Sequence, residues 1–147
     1  MSRTLVIDAS VAIKWVVPES QSDLATSLRG RFRFAAPELI VAECINILWK
    51  KTRRAELSPT EAVLAARSLE RAEIEFFPTR PLSRQATELS ILLDHPAYDC
   101  FYLCAAKARG EVFVTADERL LRKLAHPAAR EWSSISVALH DAAQIED

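Results

Sequence analysis

Leu5, Val6 and Ile7 follow one another with no polar residue between them, so residues 4–8 are predicted to form a strand covered on both faces. That strand ends on a carboxylate, Asp8, in "VIDAS". The arrangement recurs near the far end of the chain, where a strand over 111–115 in "EVFVT" is followed by Asp117 in "VFVTAD". Between them the pattern changes to helical spacing. A short helical stretch, "VAIKWVV", stops at Pro18, and residues 20–29 read as a helix closed by Gly30. A short strand over 32–36 follows, and Pro37 is placed as the first residue of a long helix over 37–54. Ser58 and Pro59 open the next helix, with Glu61 at the third position of a capping box. A third strand covers 74–77, and helices are predicted over 82–93 and 96–109, the second opened by Pro96 and closed by Gly110. A helix over 117–125 and a weaker strand over 134–139 complete the chain. Strands alternating with helices predict an α/β fold, a three-layer sandwich around a mainly parallel sheet of four or five strands. In such sheets ligands gather at the carboxyl ends of the strands, where Asp8 and Asp117 both fall.

Composition narrows the function. At 147 residues without internal repeat or linker, the chain is expected to form a single domain over 1–147. Its net charge of −1 gives no general attraction to nucleic acid or acidic membranes, so any such binding needs a local patch. Only two glycines are present, Gly30 and Gly110, which excludes a GxGxxG dinucleotide fingerprint or a P-loop. Three cysteines do not make a disulfide framework, and no apolar run approaches the ~18 residues that span a bilayer. With no basic-then-apolar signal pattern before "VIDAS", the expected location is the cytoplasm.

Two further acids stand where a core is expected. Glu43 shares a face of the long helix with Leu39 and Ile47, flanked by Ile40 and Cys44. Asp99 lies in the first turn of "PAYDCFYLCAAKARG", a helix otherwise apolar or small. Each acid has an ordinary reading. Asp8 and Asp117 suit helix N-caps, Asp99 suits a first-turn acid, and Glu43 suits a residue that reaches solvent or an arginine. Taken together, four converging carboxylates require a cation, and no basic residue is placed in the sequence to neutralise them. With oxygen donors alone that cation is Mg²⁺ or Mn²⁺. Ser10, two residues after Asp8, and Thr115, two before Asp117, put hydroxyls beside two of the acids; they suit either a supporting shell or local capping.

"VIDAS", "PELIVAECINIL", "AYDCFYLCAAKARG" and "VFVTADERLL" together resemble, in order and spacing, the motifs of PIN-domain proteins, and more narrowly the VapC-type toxins of bacterial toxin–antitoxin pairs. The resemblance runs from about Leu5 to Leu121. It implies that Asp8 and Asp99 bind the divalent metal most directly, with Glu43 as the helix-borne acid and Asp117 as the acid of the Thr-x-Asp strand end. All four are thereby implied to be catalytic and metal-binding, with Ser10 and Thr115 the hydroxyls beside them. Proteins of this kind are Mg²⁺- or Mn²⁺-dependent endoribonucleases, usually homodimers, silenced by an antitoxin that inserts a segment in or beside the acidic groove. Where some relatives carry another acid after the Thr-x-Asp aspartate, this chain has Glu118.

An RNA substrate also needs cations. "KKTRR" (50–54) is the first candidate patch, Arg29, Arg31 and Arg33 a second, and Arg119, Arg122 and Lys123 a third, against the simpler reading that basic residues favour helix C-termini. Cys44, Cys100 and Cys104 read as small core residues, and His95, His126 and His140 are not spaced for zinc. Trp15, Trp49 and Trp132 read as core or interface, Trp49 with Ile45 as a dimer or antitoxin contact. A phosphohydrolase of the haloacid-dehalogenase kind would need an acid two residues after its nucleophile, where Ser10 stands. The remaining rival is a non-catalytic PIN-like module that holds RNA or a protein without cutting; loss of activity on chelation separates the two.

Overall fold

β1 (Thr4–Ile7) lies at the middle of the sheet in the computed structural model, which describes residues 2–147. Leu5, Val6 and Ile7 are fully buried, as the unbroken apolar run requires. β1 pairs in parallel with β2 (Arg33–Pro37) on one side and β4 (Val112–Thr115) on the other, with Val6 opposite Ala35 and Phe113. β3 (Ile74–Phe77) extends the sheet beyond β2, and β5 (Ser136–Ala138) extends it beyond β4, both in parallel. Among the described residues the order is therefore β3-β2-β1-β4-β5, five strands flanked by helices. The chain moves outward from β1 through β2 to β3 and returns to lay β4 against the free side of β1. The order reverses between β1 and β4, and a crevice opens at their carboxyl ends.

The helices are α1 (Ala9–Ala12), α2 (Ser22–Ser27), α3 (Leu39–Arg53), α4 (Pro59–Glu70), α5 (Ser83–Leu93), α6 (Ala97–Arg109), α7 (Glu118–Leu124) and α8 (Arg130–Ser133). α6 packs on β1, β2 and β4 and buries Cys100, Tyr102, Leu103, Cys104, Ala105 and Ala106. α3 buries Ile40, Cys44 and Leu48 at the four-residue spacing of one helix face and packs against α1, α4 and β2. Burial raises the Cys44 and Cys100 thiols to about 12 and the Cys104 thiol to about 11, which makes all three inert core residues.

Two expected boundaries are corrected. Pro37 does not open α3; it is the last residue of β2, where its fixed φ suits extended backbone, and Glu38 is the N-cap. Gly30 does not close α2 in a left-handed conformation. The chain instead tightens into a 3₁₀ turn over Leu28–Gly30, so nothing there demands glycine. Gly110 does take φ +66° at the end of α6, and Ser58 and Glu61 form both bonds of the capping box of α4. No helix among the described residues is long and apolar enough to cross a membrane.

Candidate metal centre

Because β1 and β4 are parallel neighbours, the residues just past their carboxyl ends meet. Asp8 is the backbone N-cap of α1, yet its side chain makes no capping bond. Its carboxylate turns into the crevice instead. Ser10 Oγ donates to Asp8 Oδ1 and Thr115 Oγ1 donates to Asp8 Oδ2, each at 2.5 Å. Both hydroxyls also accept a backbone N–H, Ser10 from Ala116 at 2.9 Å and Thr115 from Asp117 at 3.0 Å. Accepting there directs each hydroxyl proton toward Asp8. Asp117 follows its ordinary reading as well: Oδ1 accepts from the backbone N–H groups of Arg119 and Leu120 and caps α7. Oδ2 has no protein donor among the described residues.

The other two acids arrive on helices. Glu43 sits half-buried on the α3 face above Cys44, and the buried Tyr102 of α6 donates to its Oε1 at 2.6 Å. Asp99 stands in the first turn of α6. His95, just before Pro96, places Nε2 2.5 Å from Asp99 Oδ2. One oxygen of Asp99, one of Asp117 and a ring nitrogen of His95 all lie within 4.8 Å of one another. Asp8 and Glu43 lie outside that tight group but share its field. Burial raises Asp8 to about 7 against the opposing bonds from Ser10 and Thr115, and the charges of Asp99 and Asp117 raise it further. Glu43 is raised first by burial and then by Asp99 and Asp117, with Tyr102 acting against them. Asp99 is raised first by burial; His95 lowers it and Asp117 raises it. Three carboxyl groups raised by burial and by neighbouring carboxylates, with Asp117 among those neighbours, fit a hard divalent cation, since its charge removes the repulsion and its preferred donors are oxygens.

Two residues of this arrangement escape the sequence reading. His95 is a partner for the acids, contrary to the expectation that no basic residue was placed to meet them. Its signal is the spacing "HPAYD", which sets an imidazole four residues before the acid at a helix start. Tyr102 is hidden because an aromatic at that position of α6 also satisfies a core face. Of the basic patches, the first lies near the acids: Lys50, Lys51 and Arg54 line one cleft of about 310 Å³ with Ser10, Lys14 and Ala116. The second does not. Arg31 is bonded to Asp147 and to the carbonyls of Ala143 and Ile145, while Arg29 and Arg33 line a separate cleft with Thr4 and Ile74 at the amino ends of β1–β3. Arg119 and Arg122 are exposed on α7, as is Glu118 in its first turn, outside the tight group.

The chain belongs to the PIN domain family, which its sequence matches over residues 5–127. PIN domains are generally metal-dependent nucleases. Among curated proteins none matches the sequence. Of solved structures, PAE2754 from Pyrobaculum aerophilum is similar at a TM-score of 0.68 and 20% identity, over 97% of this chain and 95% of that one. VapC20 of Mycobacterium tuberculosis, a sarcin-ricin loop cleaving toxin, is similar at 0.60 and 14% identity, over 76% of this chain and 86% of that one. At such identities the likeness is one of fold.

Proposed function

We propose that the chain is a PIN-like domain over 1–147 that cleaves RNA phosphodiesters with Mg²⁺ or Mn²⁺, as the toxic member of a cytoplasmic toxin–antitoxin pair. What supports this reading is that Asp99 and Asp117 lie in one tight group past the β1–β4 switch, with Asp8 and Glu43 in its field, and that burial and neighbouring charge raise three of the four. Asp8, Glu43, Asp99 and Asp117 would hold the cation, Asp99 and Asp117 from the tight group and Asp8 from the strand end. Bound there, a divalent ion supplies a Lewis acid that acidifies water and offsets charge on a phosphodiester. Ser10 and Thr115 keep the Asp8 carboxylate oriented in the crevice, and Tyr102 does the same for Glu43. Lys50 and Arg54, which form no ion pair among the described residues, supply positive charge for the RNA backbone in the cleft beside Ser10.

The partners follow from exposed apolar surface. A groove of about 290 Å³ lined by Ile40, Val41, Ile45, Leu69 and Phe76 suits an apolar antitoxin segment. Trp49, 51% exposed on the same helix, would extend it. Ile91, Leu92 and Tyr98 are exposed where α5 passes into α6, which suits a homodimer contact beside Asp99.

Purified protein incubated with structured RNA, in Mg²⁺ or Mn²⁺ against excess EDTA and beside Asp8→Asn, tests the reading. Cleavage that needs both the metal and Asp8 supports it. Cleavage that survives Asp8→Asn removes the site from consideration, and RNA binding without cleavage favours a non-catalytic module.

A further inference from the structure

We infer that His95 is the positioning residue for Asp99, holding that carboxylate beside Asp117 so that one cation reaches both; this rests on the metal-binding reading above. The His95 side chain is 4% exposed, and its Nε2 lies 2.5 Å from Asp99 Oδ2. Against an ionised carboxylate, a ring nitrogen at that distance carries the proton in both charge states of the ring. Nε2 is therefore a donor to Asp99 and is closed to a metal.

Asp99 needs such a donor. Its carboxylate faces that of Asp117 within the same 4.8 Å group, and like charges at that range push apart. The Asp99 side chain is partly exposed, so without a tether it would swing outward. The other three acids are each held by a donor of their own: Asp8 by two hydroxyls, Glu43 by Tyr102 and Asp117 by two backbone N–H groups. His95 is the side-chain donor to Asp99 among the described residues. The backbone sets it there. Asp94 takes φ 49°, turning the chain back at the end of α5, and the His95 N–H bonds to Ser90 O at 3.2 Å before Pro96 starts α6. A histidine four residues ahead of the acid is thereby brought over the first turn of the helix.

The test is Mn²⁺ titration of the full chain by electron paramagnetic resonance, with RNA cleavage measured in parallel, for wild type, His95→Phe and His95→Gln. His95→Phe keeps the ring volume and loses the donor, and is expected to weaken Mn²⁺ binding ~10–100-fold, with kcat falling and KM for RNA little changed. The Gln side-chain N–H reaches where Nε2–H stood, so His95→Gln is expected to recover most of both. Wild-type Mn²⁺ is expected to show no nitrogen coupling from a bound imidazole in pulsed spectra. A folded His95→Phe, by circular dichroism, that binds Mn²⁺ like wild type overturns the inference and leaves the metal reading standing. So does His95→Gln behaving no better than Phe, or nitrogen coupling from a directly bound ring. Wild type that binds no Mn²⁺ overturns both.

Discussion

Tyr102 of α6 donates its hydroxyl to Oε1 of Glu43 on α3 at 2.6 Å, across 59 residues of sequence. The ring is fully buried and stacks on Phe113 at 6.3 Å between centroids, so the hydroxyl cannot wander. Burial and the adjacent Glu43 charge raise this phenol far above its ordinary value, which keeps it a donor at any working pH. Tyr102→Phe keeps the stack and removes only the bond. The expected cost is about 1–2 kcal/mol of stability, with RNA cleavage down ~10-fold as Glu43 loses its orientation. Denaturant melts and single-turnover cleavage check it; unchanged cleavage would show that Glu43 needs no holding.

Asp8 gives a stability–function conflict. Buried, raised to about 7 and facing two other carboxylates, it is charged at pH 8 at the expense of the fold when no cation is bound. Asp8→Asn is therefore expected to melt several degrees above wild type in EDTA. Adding Mn²⁺ should raise the wild-type midpoint, by RT ln(1 + [L]/Kd) in free energy, and leave the variant nearly unmoved. Differential scanning fluorimetry reads both. A variant less stable than wild type in EDTA would mean that the Ser10 and Thr115 bonds outweigh the buried charge.

The fold is legible because its signals are local. Leu5–Ile7 and Val112–Thr115 announce central strands by unbroken apolar character, and Ser58 with Glu61 announces a helix start by capping chemistry. Pro37 and Gly30 mislead because each residue type fits two local structures, and the neighbouring strand and 3₁₀ turn decided between them. The four acids stand out by being polar where the pattern is apolar. Their supports do not stand out. Tyr102 meets Glu43 only through the packing of α6 on the sheet, and His95 depends on a left-handed Asp94 that sequence spacing does not express.

Among the described residues, Lys50 and Arg54 are the cations of the cleft containing Ser10 that form no ion pair. If both meet RNA phosphates, the double variant Lys50→Ala/Arg54→Ala loses affinity and also salt dependence. On single strands the slope of log K against log salt should fall by about 1.4, at ~0.7 for each phosphate contact. Fluorescence anisotropy in EDTA, with Asp8→Asn as the background, measures binding apart from the proposed cleavage. An unchanged slope would place the RNA path elsewhere, with Arg119 and Arg122 of α7 next in line.

Glu19 ties the same cleft to the pH dependence of folding. Its carboxylate accepts from Lys14 and from Lys51, each at 2.9 Å, with all three side chains at least three-quarters buried. Burial alone would raise Glu19, but the hydrogen bonds and charges of Lys14 and Lys51 together outweigh it and hold the carboxyl below its ordinary 4.5. A folded-state value below the unfolded one means that the unfolded chain binds protons first, so this contribution is full above 4.5 and disappears as pH falls through the lower folded value. Glu19→Gln is expected to lose on the order of 1–2 kcal/mol at neutral pH and progressively less below pH 4.5, read from denaturant midpoints of both proteins. A gap that stays constant into acid would mean that packing, not charge, sets the contribution. The same substitution frees Lys14 and leaves Lys51 only its longer 3.8 Å pair with Glu56, in the cleft beside Ser10, so it should tighten RNA binding at low salt while it weakens the fold. A gain in affinity with a loss of stability would identify Glu19 as a structural neutraliser of charges that the RNA would otherwise use.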